Sequence, residues 1–314
     1  MNLLIKAPLH RPILFLRLRG GLGNQLFEYA AGRALALRND VPLWLDTASG
    51  FQGDPYGRSY ALGAFRVVGE DSDHGSSASL ALKADLFRRV VRRRELLRIR
   101  FLGRTFDPAI YNMRIKGPTV LDAYCQSPGY FDQIEELLRR ELEFKQTPPG
   151  LSDSMVEDIK QANSVCLHIR RLFAKQADGS TRQSVADYYG TCDIAYYRRA
   201  LRELAAAHGR LRIFVFSDDI GWAQQHTEAF ETEGCSVKVI DDDDPLRSFY
   251  LMRLCKHFII ANSSFSWWAA WLGTDPVKTV CVPPVWTRGE KRPPRDLFPS
   301  AWKVFPATAL LAHT

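Results

Sequence analysis

Short apolar runs alternate with helically spaced ones along this chain, and that alternation predicts its elements. Residues 13–18 form an apolar run interrupted by Arg17, the pattern of a strand. Behind it Phe27, Ala30, Ala31, Ala34 and Leu35 recur at helical spacing. Residues 41–45 read as a second strand, and 50–79, rich in Gly, Ser and Asp, as loop. The spacing over 80–102 predicts an amphipathic helix, 121–126 a strand and 132–142 a helix. Gln146-Thr147-Pro148-Pro149-Gly150 interrupts the pattern and is the expected hinge. It separates an N-terminal domain, 1–150, from a C-terminal domain, 151–314, whose last segment is a candidate to pack back on the first. Beyond the hinge, strands are expected at 164–169, 211–216, 236–240, 257–261 and 279–282. Helices are expected at 194–207, 221–231 and 246–255. Strands alternating with helices predict an α/β protein with parallel, doubly wound sheets. The expectation is two Rossmann-like domains facing across a cleft.

Composition narrows the classes. The 314 residues are 46% hydrophobic and 25% charged, an ordinary soluble profile with no apolar run approaching a membrane span. Residues 1–11 lack the core and cleavage site of a signal peptide. The six cysteines (Cys125, Cys166, Cys192, Cys235, Cys255, Cys281) contain no C-x-x-C pair and several lie in apolar runs, so buried free thiols are expected. The formal charge is +7, and Arg88, Arg89, Arg92, Arg93, Arg94, Arg98, Arg100 and Arg104 crowd one stretch. This basic helix, 83–104, is either a solvated face or a contact for an anionic membrane surface. Nucleic acid is excluded as a partner, because no aromatic interleaving or known motif accompanies the charge. The expected location is cytoplasmic, with peripheral contact at the inner face of a membrane as an extension of that reading.

Candidate chemistry collects where expected strands end. The first strand runs into Arg19-Gly20-Gly21-Leu22-Gly23-Asn24-Gln25, whose glycines permit unusual backbone and close approach of a ligand. The strand at 164–169 places His168 and Arg170 on one face and leads into Arg171. Two arginines at a buried strand end call for an anion or a carboxylate, and the guanidinium fork suits phosphate. Asp218 and Asp219 end another strand. Asp241 to Asp244 is expected to be a solvated acidic loop without a metal. The strand at 257–261 meets Asn262-Ser263-Ser264-Phe265-Ser266-Trp267-Trp268, where Asn and Ser side chains are expected to cap a helix whose first turn suits an anion.

Four blocks in this order resemble the α-1,2-fucosyltransferases of glycosyltransferase family 11. They are Leu18-Arg19-Gly20-Gly21-Leu22-Gly23-Asn24-Gln25-Leu26-Phe27-Glu28-Tyr29-Ala30, His168-Ile169-Arg170-Arg171, Phe214-Val215-Phe216-Ser217-Asp218-Asp219, and residues 261–271. The resemblance implies a GT-B fold and an inverting, metal-independent enzyme without a cofactor. It would move L-fucose from GDP-β-L-fucose to the 2-hydroxyl of a terminal β-galactoside, free or lipid-linked. By matching position, Arg170 would hold the pyrophosphate, with Arg171 beside it, and His168 would lie near the guanosine. Asn262, Ser263, Ser264, Phe265 and Ser266 would bind the phosphates. Gly21, Gly23, Asn24 and Gln25 would close over the donor, and Asp218 and Asp219 would lie at the nucleotide end. Catalysis would fall to Arg170, His168 and Asn24.

The chain departs from the family pattern at two places. Leu172 and Phe173 replace a Gly-Asp pair, which removes the obvious carboxylate and leaves Glu28, Asp178 and Asp187 as candidate bases beside a loose pathway needing little base. Ser248 replaces an acidic residue before an apolar helix. Two other readings stay open: an α-1,6-fucosyltransferase, and a non-catalytic binder of a GDP-sugar or glycan.

Overall fold

The computed structural model describes residues 12–69, 97–101, 105–171, 176–180, 182–231, 234–290 and 296–305. The chain divides into two compact units, Met1–Lys145 and Gln146–Thr314.

Unit 1 runs β1 (Ile13–Arg17), α1 (Leu22–Asn39), β2 (Leu43–Asp46), β3 (Leu97–Phe101), α2 (Pro108–Tyr111), β4 (Pro118–Ala123) and α3 (Glu135–Glu141). Its sheet has the order β2-β1-β4-β3, with every pairing parallel. The helical spacing has its expected cause: Phe27, Ala30, Ala31, Ala34 and Leu35 are buried. At Gly32 the backbone lies so near β1 that an added Cβ would meet Leu16 Cδ2 at 2.9 Å. Arg33 forks onto the Glu141 carboxylate, with Nη2 donating to Oε1 at 2.9 Å, and the Tyr29 hydroxyl donates to Oε2 at 2.5 Å, tying α1 to α3. Gly50 touches the chain just beyond β1, and a Cβ there would sit 2.0 Å from the Leu18 carbonyl oxygen. Because that neighbour is backbone, Gly50→Ala is expected to destabilise unit 1 by about 2 kcal/mol or more. A urea midpoint unchanged from the parent would refute that close approach.

One expected element is corrected. The helix predicted over 80–102 does not continue through 97–101, which is strand β3; residues 70–96 and 102–104 lie outside those described. Leu97, Ile99 and Phe101 alternate with Arg98 and Arg100, the period of a strand, and the segment pairs with β4 from Leu97↔Thr119 to Phe101↔Ala123.

Unit 2 runs α4 (Asp153–Gln161), β5 (Ser164–Ile169), α5 (Gln183–Tyr189), α6 (Ile194–His208), β6 (Arg212–Ser217), α7 (Ile220–Gln225), β7 (Ser236–Val239), α8 (Pro245–Leu254), β8 (His257–Ile259), α9 (Ser264–Leu272), β9 (Val280–Val282) and β10 (Lys303–Val304). All pairings in the order β10-β9-β8-β5-β6-β7 are parallel. β5, β8 and β9 are buried along their whole length, as parallel strands covered on both faces must be. Val165, Leu167, Ile169, Ile213, Val215 and Ile259 join one core with Tyr196, Tyr197, Ala200, Leu201 and Leu204 of α6. On the other face His168 meets Phe265, and Phe265 meets Phe249 of α8 edge-on, with centroids 5.2 Å apart. Trp267 and Trp268 of α9 are fully buried, and the Trp267 indole N–H donates to the Leu297 carbonyl at 2.8 Å. Burial of each indole contributes on the order of 4 kcal/mol of apolar transfer.

The acidic loop is a second correction. Arg247 grips Asp242 with Nε and Nη2, each at 2.7 Å, and the Asp244 carboxylate caps α8 at the N–H groups of Leu246 and Arg247. Only part of the run is solvated, because a helix start needs its cap and the arginine needs its partner. Of the cysteines, all free, Cys192 and Cys235 are half-buried while the other four are buried as expected. The helix expected over 221–231 stops at Gln225, and a 3-10 turn follows at Thr227–Phe230. Two Rossmann-like units, each built on a parallel sheet, make this an α/β protein.

Candidate functional site

In unit 2 the chain leaves β5 for β6 and β7 on one side, then returns to β8, β9 and β10 on the other. The connections after β5 and β8 therefore diverge, and a crevice opens at the C-terminal ends of these neighbours, where open α/β sheets bind ligands. His168, Arg170 and Arg171 come from β5 and its exit; Asn262, Ser263, Ser264, Phe265 and Ser266 come from the exit of β8.

The two arginines are met by the two aspartates at the end of β6. Arg170 Nη1 lies 2.9 Å from Asp218 Oδ2, and Asp218 Oδ1 accepts the Arg171 N–H at 2.8 Å. Arg171 Nε donates to Asp219 Oδ2 at 3.3 Å and its guanidinium lies 4.3 Å above the Trp222 ring, which in turn stacks on His226. Asp219 also caps α7 at the Trp222 N–H. The aspartates thus orient the arginines, and both guanidinium groups stay partly exposed, 29% for Arg170 and 21% for Arg171. His168 is buried at 5% exposure, and its Nδ1 has no hydrogen-bond partner. Burial pushes its pKa down to about 3, with Asp218 opposing and Arg170 adding to the shift, so the ring is neutral at pH 7.

The turn after β8 is organised differently from expectation. Ser263 is the N-cap of α9, but no side chain caps the helix. Asn262, instead of capping, is buried at 1% exposure, and its amide N–H₂ faces the carbonyls of Tyr189, Gly190 and Trp286 at 3.2, 3.4 and 3.2 Å. Ser266 is buried and donates to the Ser263 carbonyl at 3.3 Å; Ser263 is buried as well, and Ser264 and Phe265 are half-buried. The start of α9 remains suited to an anion through its dipole.

Unit 1 has its own switch point, since β2 and β4 flank β1. Gly20 takes φ +74° in the turn that follows β1, Gly21 is the N-cap of α1 with open space beside it, and Gly23 is buried within the helix. Asn24 Oδ1 accepts from Gln126 Nε2 at 2.9 Å, which joins the exits of β1 and β4. Gln25 is fully buried, donates to the carbonyls of Gly20 and Ser59, and accepts the Ala61 N–H, so it acts through the shape of the turn.

The candidate bases occupy three different settings. Glu28 is fully buried; burial raises its pKa well above the ordinary value, against the pull of the Arg19 N–H, which donates to Oε2 at 2.9 Å. Asp178 accepts from Ser180 N and Oγ in an exposed turn. Asp187 is exposed on α5 and accepts from Gln183 at 2.9 Å. Leu172 and Phe173 lie outside the described residues.

Sequence reasoning missed Gln126, Trp222 and the buried charges beneath the glycine turn. There Arg17 Nη1 donates to Asp122 Oδ2 at 3.1 Å, while Arg19 Nε lies 3.2 Å from Asp122 Oδ1 without hydrogen-bond alignment. Asp122 falls in the expected strand 121–126, and its charge inside an apolar run was the available signal. Among the described residues no group of three His, Cys, Asp or Glu could hold a metal ion, and no helix is long and apolar enough to cross a membrane.

Oriented arginines beside an uncapped helix start define unit 2 as an α/β unit with an anion-receptive crevice. Residues 117–302, more than half of the chain, match glycosyl transferase family 11, and the chain belongs to that family. It is a glycosyltransferase. It is 29% identical over 301 residues to an alpha-1,2-colitosyltransferase of Escherichia coli, covering 92% of this chain and 98% of the relative. It is 28% identical over 306 residues to the O-antigen biosynthesis glycosyltransferase WbnK of Escherichia coli, covering 88% and 95%. Among solved structures, fucosyltransferase NodZ from Bradyrhizobium aligns at 14% identity with a TM-score of 0.44, covering 83% of this chain and 92% of that one. A mutant of Arabidopsis thaliana FUT1 in complex with GDP aligns at 15% identity with a TM-score of 0.47, covering 95% and 78%.

Proposed function

We propose that this glycosyltransferase moves L-fucose from GDP-β-L-fucose to the 2-hydroxyl of a terminal β-galactoside, with inversion and without a metal. The observation that carries the reading is the crevice between β5 and β8 in a family 11 chain, lined by Arg170 and Arg171 and by the start of α9. Breaking the bond from fucosyl C1 to phosphate oxygen builds negative charge on the leaving GDP. Fixed guanidinium groups and helix N–H groups aimed at that charge stabilise the transition state. In this role Arg170, held by Asp218, meets the diphosphate, and Arg171 supports it. Neutral His168 presents an aromatic face and a hydrogen-bonding edge without adding charge. Asn262 shapes the turn that Ser263, Ser264 and Phe265 offer to the phosphates.

GDP-colitose, whose sugar is 3-deoxy-L-fucose, is the alternative donor to test, because a 29% identical relative is a colitosyltransferase. Purified protein is to be given GDP-L-fucose or GDP-colitose with lactose, in EDTA, and the product linkage read by NMR. The expected product carries fucose on the galactose 2-hydroxyl. A 6-linked product would replace the linkage, a kcat/KM at least tenfold higher with GDP-colitose would replace the donor, and GDP binding without turnover of either sugar would make the protein a binder.

A further inference from the structure

Arg170 and Arg171 are neighbours in the chain but are held in different ways. Asp218 takes a terminal amino group of Arg170, with Nη1 2.9 Å from Oδ2. Asp219 instead meets the Arg171 guanidinium at Nε, at 3.3 Å. That distance is at the long end of N–H···O bonding, and one contact at one edge leaves a guanidinium able to rock about it. The other hold on this side chain is the Trp222 ring, whose centroid lies 4.3 Å from the guanidinium carbon. A guanidinium is flat and weakly hydrated and stacks on an aromatic face. The ring therefore fixes the plane of a group that the carboxylate fixes only at its edge. Among the described residues both Nη groups of Arg171 keep their N–H donors for a ligand.

The platform is itself held from several sides. Asp219 Oδ1 accepts the Trp222 N–H at 3.1 Å while Oδ2 takes Arg171, so one carboxylate ties the arginine to the residue beneath it. The Asp219 N–H donates in turn to Ser217 Oγ at 3.0 Å, at the end of β6. His226 stacks on the indole with centroids 4.1 Å apart and planes at 16°. Its Nδ1 lies 2.8 Å from the Trp222 carbonyl oxygen, which only accepts, so Nδ1 is the donor. The half-buried indole also packs against the core that β5, β6 and α6 share. Bonds at its backbone, a ring on its face and the core together make it a rigid support.

We propose that Trp222 is a positioning residue: by stacking on Arg171 it holds the guanidinium plane so that both Nη groups present a fork to the donor diphosphate. The identity of that ligand rests on the glycosyl-transfer reading above; the stack does not. In ligand-free protein the Arg171 Nε–H signal, assigned by its loss in Arg171→Lys, is expected to be rigid by 15N relaxation. It should become mobile in Trp222→Leu and stay rigid in Trp222→Phe. By calorimetry Trp222→Leu is expected to raise the GDP Kd about tenfold and Trp222→Phe less than threefold. In an Arg171→Ala background the same Trp222→Leu change should add less than twofold, because the two residues act as one unit. A tryptophan that serves only the core would weaken GDP binding equally in both backgrounds and leave the Arg171 Nε–H rigid; either result overturns the proposal. If the parent protein binds no GDP, the donor reading has failed, and the relaxation measurement decides the positioning role by itself. If Trp222→Leu lacks a cooperative urea transition, Trp222→Met takes its place, since its flexible side chain fills the space without a ring.

Discussion

Arg170→Ala is expected to lower kcat by about 10³-fold while the protein stays folded. One preorganised donor aimed at developing charge contributes on the order of 10²–10³ in rate. Two features of this site push the effect to the upper end. Arg170 carries a full charge, and its loss leaves the Asp218 carboxylate, 2.9 Å away in the parent, facing the crevice without that guanidinium. The variant thus replaces attraction for a diphosphate by repulsion. Arg170→Ala combined with Asp218→Asn should therefore recover part of the lost rate, an outcome that simple loss of a contact does not give. Arg170→Lys should fall between, since an ammonium keeps the charge but loses the fork. The side chains are 29% and 16% exposed, so the pair contributes modestly to folding and the urea midpoint should move little. Near-parental kcat with a lowered midpoint would mean that the pair serves the fold alone.

Stability is expected to fall steeply between pH 7 and pH 5. Burial holds the pKa of His168 down to about 3 and that of His257 to about 4. His257 is 1% exposed, its Nδ1 accepts the Thr279 N–H at 3.1 Å, and its ring stacks on His208 with centroids 4.0 Å apart. After burial, His208 and Lys256 depress its pKa and Asp275 opposes them. In the unfolded chain both histidines titrate near the ordinary value of about 6.5. Below that pH the unfolded state binds protons that the folded state refuses, so stability is complete above about pH 7 and is lost as pH falls toward the folded values. At pH 5 each histidine withdraws about 2 kcal/mol, a large share of a typical folding free energy. Denaturant titrations of His257→Gln at the two pH values isolate one contribution from the general effect of protonating carboxylates. The drop should shrink by about 2 kcal/mol relative to the parent, and an unchanged drop would exclude His257.

The elements visible in the sequence were those whose burial is set by local period. β1, β5 and β6 are apolar runs because neighbours cover them, and α1 shows its buried face at helical spacing. The strand over 97–101 was hidden because Arg98 and Arg100 interrupt its apolar residues within an arginine-rich stretch that favours a helical reading. At the crevice, residue types were legible but their directions were not. Asn262 and Gln25 read as ligand contacts, yet their amides face carbonyls of distant turns, a choice made by chain path. Asp218 and Asp219 read as groups for a nucleotide and are engaged by Arg170 and Arg171. Gln126 and Asn24 stand 102 positions apart, and no local pattern predicts their hydrogen bond.

The position of β5 at the centre of its sheet bears on how the chain reaches this state. Pairing of β5 with β6 joins Cys166 to Phe214, but its other edge waits for β8, which aligns Phe258 with Cys166. Closing the longer loop costs more entropy, and sheets made of such distant pairings fold slowly. Until residue 259 has emerged from the ribosome, β5 is an open, largely apolar edge, a template for pairing with another chain. The strand that presents Arg170 is thus the segment most exposed to misassembly during synthesis, and the two lips of the crevice are brought together by one late event.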